Sequence, residues 1–169
     1  VVFVTGPAVV ARPSGVQVVA VETAREMREA VFAALPVDAG VFAAAVADWR
    51  VAEVAQSKMK KTAGGLPSLQ FAENPDILAE VSQLAEGRPA LVVGFAAETD
   101  DVVAHATAKR LRKGCDWIVA NDVSPGTGIM GGRENAVTLI SETGAEDWPR
   151  ADKTVVADRL ARRIAEALA

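Results

Sequence analysis

The chain is poor in the residues that carry most protein chemistry. Its 169 residues include one histidine (His105), one cysteine (Cys115) and no tyrosine. A zinc site of the usual His/Cys kind therefore cannot be assembled within one chain. Any Ser-His-Asp or Cys-His arrangement would have to use His105 alone, and a Tyr-Lys dehydrogenase pair is excluded. Chemistry falls to Lys, Arg, Asp, Glu, Asn and backbone groups, acting on a nucleotide or cofactor. A single cysteine forbids an intrachain disulfide, so a reducing cytoplasm is the expected location. No apolar run reaches membrane-spanning length, and no basic segment leads into a hydrophobic stretch at the start. No membrane role is expected. The net charge of −4 argues against general nucleic-acid binding.

Half of the residues are apolar and 24% are charged, the balance of an ordinary globular protein. The length suggests one domain over residues 1–169. Short apolar, β-branched runs alternate with helical patterns. Strands are expected at Val1–Thr5, Val16–Val21, Val41–Val46, Ala90–Ala96, Trp117–Ala120 and Ala136–Ile140. Thr23 followed by Glu26 reads as a capping box for a first helix. Asn74-Pro75 reads as the opening of a second. A third opens at Asp100 or Asp101 and stops at Gly114, and a fourth opens at Asp152. Alternation of this kind means a doubly wound α/β sheet. The stretch Val51–Gln70 and the glycine-rich Ser124–Glu134 read as loops or excursions.

Ligands of open α/β sheets bind at the carboxyl ends of strands. Three runs end suggestively there: Val41 to Asp48, Val92 to Thr99 with Glu98, and Ile118 to Asn121-Asp122. Basic residues form two islands, Lys58-Met59-Lys60-Lys61 and Lys109-Arg110-Leu111-Arg112-Lys113. These hold seven of 18 basic residues, so the other 11 stand against 22 acids. Such islands on an acidic chain suit phosphates. Lys109 and Lys113 lie one helical turn apart and can reach one ligand. Each feature also has a plainer reading. Asp48, Glu98 and Asp122 serve equally as caps or turn formers, the helical lysines and arginines as partners of the macrodipole, and Phe95 as core. His105 reads as surface or packing, and Cys115 as inert and buried. Gly126-Thr127-Gly128 is no dinucleotide fingerprint, because it neither follows a strand directly nor opens a helix.

Taken in order, several segments resemble a known family. They are Ala44 to Arg50, Lys58 to Lys61, Asn74-Pro75-Asp76-Ile77, Gly94 to Thr99, Lys109 to Lys113 and Asn121-Asp122-Val123. The set is similar to the ligase domain of bacterial phosphopantothenoylcysteine synthetase (phosphopantothenate–cysteine ligase). That domain usually follows a flavin-dependent decarboxylase in a bifunctional coenzyme A biosynthesis protein. The resemblance implies a Rossmann-like, doubly wound, mostly parallel sheet with helices on both faces. It implies three substrates, CTP, 4′-phosphopantothenate and L-cysteine, with Mg²⁺ screening the triphosphate and an acyl-cytidylate intermediate. FMN would belong only to a fused decarboxylase outside this chain. By the same resemblance Phe42, Ala43, Ala44 and Asp48 hold the cytidine part, and Pro75, Asp76, Ile77 and Leu78 bring a helix N-terminus to the nucleotide. Phe95 lines the nucleotide pocket, Lys109 and Lys113 reach the phosphates, Lys58 is the catalytic lysine on a loop running to Gly65, and Asn121 lies near the acyl substrate. A homodimer or larger homo-oligomer is implied, with the arm Gly128–Ile140 at the contact. The family's first strand, its Gly-Gly-Thr turn and an Asn-containing segment would all precede Val1, so this chain alone is expected to have an incomplete site. Two other readings remain open: a non-catalytic nucleotide- or dinucleotide-binding module, and a structural or assembly domain with solvated basic islands.

Overall fold

The computed structural model describes residues 1–8, 10–53, 69–129 and 131–169. In chain order the elements are β1 (Val2–Thr5), β2 (Gln17–Ala20), α1 (Ala24–Ala34), β3 (Ala39–Phe42), β4 (Trp49–Val51), β5 (Phe71–Glu73), α2 (Ile77–Ser82), β6 (Leu91–Glu98), α3 (Val102–Lys113), β7 (Trp117–Asp122), β8 (Glu134–Ser141), β9 (Gly144–Asp152) and α4 (Lys153–Ala167). They fall into two compact units, Val1–Val31 with Ala44–Asp76, and Phe32–Ala43 with Ile77–Ala169.

In the first unit β1 and β2 pair in parallel, from Val2 opposite Gln17 to Thr5 opposite Ala20. The capping box forms as its spacing requires. The Glu26 N–H donates to Thr23 Oγ1 (3.2 Å) and the Thr23 N–H to Glu26 Oε2 (2.9 Å), with the Glu22 N–H joining at 2.8 Å. These bonds satisfy donors that an α-helix otherwise leaves orphaned at its start. They also hold the Glu26 carboxyl below its ordinary value, the Glu22 and Thr23 backbone donors contributing most. β4 and β5 form an antiparallel pair, Trp49 opposite Glu73 and Val51 opposite Phe71. Neither strand is among those expected from the sequence, and the expected excursion Val51–Gln70 runs from the last residue of β4 to the residue before β5. Two three-residue strands carry too little periodicity to stand out.

The second unit is built on a five-stranded mixed sheet in the order β3-β6-β7-β8-β9. β3, β6 and β7 run parallel, while β8 and β9 join antiparallel. β6 is buried along most of its length, which explains its continuous apolar run. On one face Leu91, Val93, Val119, Val137, Leu139 and Trp148 pack with Leu160 of α4. On the other, Ile118 and Val92 are wholly buried, as are Val81 of α2 and Ala106 of α3. Helices thus cover both faces, as the strand–helix alternation predicts. A Cβ on Gly94 would stand 2.6 Å from Leu78 Cδ2 and 2.8 Å from Ile118 Cδ1, so α2 lies close on the sheet at a point where any side chain would have to displace Leu78 or Ile118.

Two expectations are corrected and one strand is added. The strand expected over Val41–Val46 is Ala39–Phe42. After Phe42 the chain is a run of exposed alanines with little to pack, and the Val46 N–H turns back to the Ala44 carbonyl (3.2 Å). The second helix opens at Ile77, not at Asn74-Pro75, because the Asn74 side chain is engaged elsewhere. β9 is an additional strand. Its charges and Pro149 hide it in the sequence, but it lies at the end of the strand order, and its pairing with β8 is irregular between Asn135 and Val137. The fourth helix begins as expected, with Asp152 Oδ1 accepting from the Thr154 N–H (2.9 Å). Gly114 ends α3 at φ 75°, as a left-handed C-cap. Asp101 precedes α3, but in the left-handed region (φ 40°) and without a side-chain cap.

Candidate functional site

Within the second unit the parallel register aligns the carboxyl ends of β6 and β7. Ala97 stands opposite Asn121 and Glu98 opposite Asp122, while β3 ends earlier, with Phe42 opposite Gly94. Over this end lies α3, which presents its third turn to β6. Lys109 Nζ donates to the Phe95 carbonyl at 2.9 Å. Two residues expected at the phosphates and the nucleotide therefore meet. The Phe95 ring packs against the hydrophobic core, so its main chain faces Lys109 while its side chain is half-buried. Lys113 follows one turn later on the same helix.

Next to them, His105 Nδ1 lies 3.6 Å from Asp100 Oδ1 and 4.0 Å from Glu98 Oε2. Asn121 Nδ2 donates to Asn135 Oδ1 at 3.2 Å. This bond orients the amide expected near the acyl substrate. Asp122 behaves as a turn former: its Oδ1 accepts from the Ser124 N–H (2.8 Å). Hydrogen bonds from the Ser124 side chain and backbone hold its carboxyl below the usual aspartate range. Ile77 is buried and Leu78 packs beneath Gly94, so any contact they make with a ligand falls to their main chain. Ala43 is exposed just beyond β3. Cys115 is buried before β7, and burial pushes its thiol pKa up, away from reactivity.

In the first unit, Asp48 is exposed immediately before β4, with Ala44 exposed four residues earlier. The Asp48 carbonyl accepts from the Asn74 N–H at 2.8 Å, extending the β4–β5 ladder by one rung. The Asn74 side chain adds a second bond, Nδ2 to the Ala47 carbonyl at 2.8 Å. Arg50 Nη1 donates to the Glu73 carbonyl. Alongside lies an open pocket of about 360 Å³. Arg25, Arg28 and Glu29 of α1 line it together with Arg50, Glu73, Asn74 and Pro75. These arginines are not among the residues expected at a site from the sequence. The one available signal was the i, i+3 spacing of Arg25 and Arg28 on a helix face. Lys58, the expected catalytic lysine, lies outside the described residues. Among the described residues no group of three or more His, Cys, Asp or Glu side chains stands together as a metal site, and no helix is long and apolar enough to cross a membrane.

The second unit is an α/β sheet with helices on both faces and polar groups gathered at the carboxyl ends of its parallel strands, the place where open α/β folds receive ligands. Comparison with known proteins is more specific. Residues 1–168 match the model of the DNA/pantothenate metabolism flavoprotein C-terminal domain, and the chain belongs to that family. It is 42% identical over 151 residues to the coenzyme A biosynthesis bifunctional protein CoaBC of Vibrio parahaemolyticus, covering 88% of this chain and 36% of that protein. Against CoaBC of Escherichia coli K12 it is 41% identical over 168 residues, covering 97% and 41%. The chain thus spans about two-fifths of the curated relatives' length. The crystal structure of a CoaBC C-terminal domain superposes with a TM-score of 0.76 at 31% identity, over 96% of this chain and 71% of the other. A Cab2 variant solved in complex with phosphopantothenate-cysteine shares the fold, with a TM-score of 0.65 at 18% identity over 90% of this chain and 54% of that one.

Proposed function

We propose that this chain is the ligase part of a phosphopantothenate–cysteine ligase in coenzyme A biosynthesis, and that its nucleotide is CTP. Family membership over nearly the whole chain supports this reading. The observation that carries it is local: Lys109 is seated on the Phe95 carbonyl at the carboxyl half of β6, where an α/β sheet receives its ligands.

In the proposed reaction a carboxylate oxygen of 4′-phosphopantothenate attacks the α-phosphorus of CTP. The bond to pyrophosphate breaks and an acyl-cytidylate forms. The amine of L-cysteine then attacks the acyl carbon, loses a proton and expels CMP, leaving an amide. Neither step needs a protein nucleophile, only positioning and charge stabilisation. That suits a chain with one histidine, one cysteine and no tyrosine. Lys109 and Lys113 bind the phosphates, and Asp48 takes a sugar hydroxyl or a base amino group. Phe42, Ala43, Ala44 and the main chain from Pro75 to Leu78 complete the nucleotide contacts. Lys58 stabilises charge on the activated carboxylate, and Asn121 faces the acyl substrate. Mg²⁺ would neutralise the triphosphate oxygens. FMN belongs to a decarboxylase domain, and the assembly is a homodimer or larger homo-oligomer using the arm Gly128–Ile140.

The test is pyrophosphate release, measured on the full-length protein. Release should require CTP and 4′-phosphopantothenate together. Release with either alone, or with a different nucleotide preferred, would overturn the reading. Lys58→Gln should abolish release. Asp48→Ala should raise the CTP concentration needed.

A further inference from the structure

Asp48 immediately precedes a strand only three residues long, in a segment without a buried side chain. Its position must therefore be held by hydrogen bonds. Two of them come from Asn74. Its N–H reaches the Asp48 carbonyl (2.8 Å) and its Nδ2 reaches the Ala47 carbonyl (2.8 Å). The side-chain amide of Asn74 adds a donor beyond this last ladder bond and carries the restraint past the end of the strand. A carbonyl can only accept, so the group facing Ala47 must be the amide NH₂. On the other side, Arg50 Nη1 holds the Glu73 carbonyl and fixes the residue before Asn74. The three contacts form a clamp around the backbone that carries Asp48, and Asp48 keeps an exposed carboxylate.

We infer that Asn74 is a positioning residue for Asp48, setting the carboxylate for its nucleotide hydrogen bond through the paired bonds to Ala47 and Asp48. The inference rests on the nucleotide reading of Asp48 given above. Asn74 need not touch the nucleotide. Its loss should let the Ala47–Asp48 backbone drift, and small misplacements of a positioned group are costly.

The experiment compares Asn74→Asp, Asn74→Ala, Asp48→Ala and the double variant Asp48→Ala/Asn74→Ala in the full-length protein. Asn74→Asp keeps the shape and removes the donor, which guards against a variant that simply fails to fold. KM for CTP should rise about tenfold in both Asn74 variants, with kcat within about twofold. The double variant should bind CTP no more weakly than Asp48→Ala alone, because the clamp has nothing left to position. If Asp48→Ala raises the CTP KM and both Asn74 variants leave it unchanged, the inference fails and the nucleotide reading stands. Additive losses in the double variant would also overturn it, since Asn74 would then act independently of Asp48. A parent protein without CTP-dependent pyrophosphate release would mean that the functional reading itself is wrong.

Discussion

The two units hold their residues in place by different means. Every buried apolar side chain among the described residues belongs to the second unit, from Ile77 to Leu160. There, Lys109 and Asn121 stand on elements set by close packing on both faces of a sheet. In the first unit Val4 and Val19 are only half-buried, while Trp49 and Phe71 are 59% and 64% exposed. What orders this unit is hydrogen bonding: a parallel pair, a short antiparallel pair, a capping box and the Asn74 clamp. The lesson is that a candidate ligand group can be placed either by the volume beneath it or by the donors beside it. The two kinds of placement should fail differently.

The largest expected effect tests the packed unit. Ile118 is wholly buried, so Ile118→Ala should cost about 2–5 kcal/mol in denaturant unfolding. Val4→Ala in the first unit should cost less than half as much, and equal losses would break the comparison. Next comes Gly94→Ala. Its methyl group would collide with Leu78 and Ile118, and overpacking of this kind costs about 1–3 kcal/mol. A neutral result would mean that α2 is free to move off the sheet.

In the hydrogen-bonded unit, Thr23→Ala removes one arm of the capping box and should cost about 1 kcal/mol, read as a lowered melting temperature. The smallest effect is a pH dependence. The Glu26 carboxyl has its pKa lowered in the folded state by the Glu22 and Thr23 donors. Its stabilisation is therefore complete above the unfolded value and is lost as pH falls through the folded one. Melting temperatures followed downward from neutral pH should show Glu26→Gln losing less than the parent below that window. Parallel curves would remove the capping box as an electrostatic contributor.

Much of this was legible without coordinates. The capping box at Thr23 and Glu26, the stop at Gly114 and the cap at Asp152 are local devices, in which a side chain meets the backbone of its own neighbours, so spacing along the chain suffices. The continuous apolar run of β6 announced burial on both faces, and the family resemblance carried by segments such as Asn74 to Ile77 and Gly94 to Thr99 led to the family. The β4–β5 pair escaped because three residues are too few to show a period, and β9 because an edge strand tolerates the charges and proline that normally argue against one. The pocket arginines escaped because they converge from separate elements.

The residue inventory by itself determined which side-chain chemistries this stretch of chain can supply, and the local patterns determined where most helices and strands begin. Only tertiary structure decided that the strand from Ala39 stops at Phe42, that Asn74 serves the Ala47 and Asp48 backbone rather than opening a helix, and that Lys109 meets Phe95. Each of those outcomes depends on a donor finding an acceptor 14 to 27 positions away along the chain, or on a strand finding its partner. Such pairings follow from how the chain folds back on itself, and spacing between neighbouring residues does not encode them.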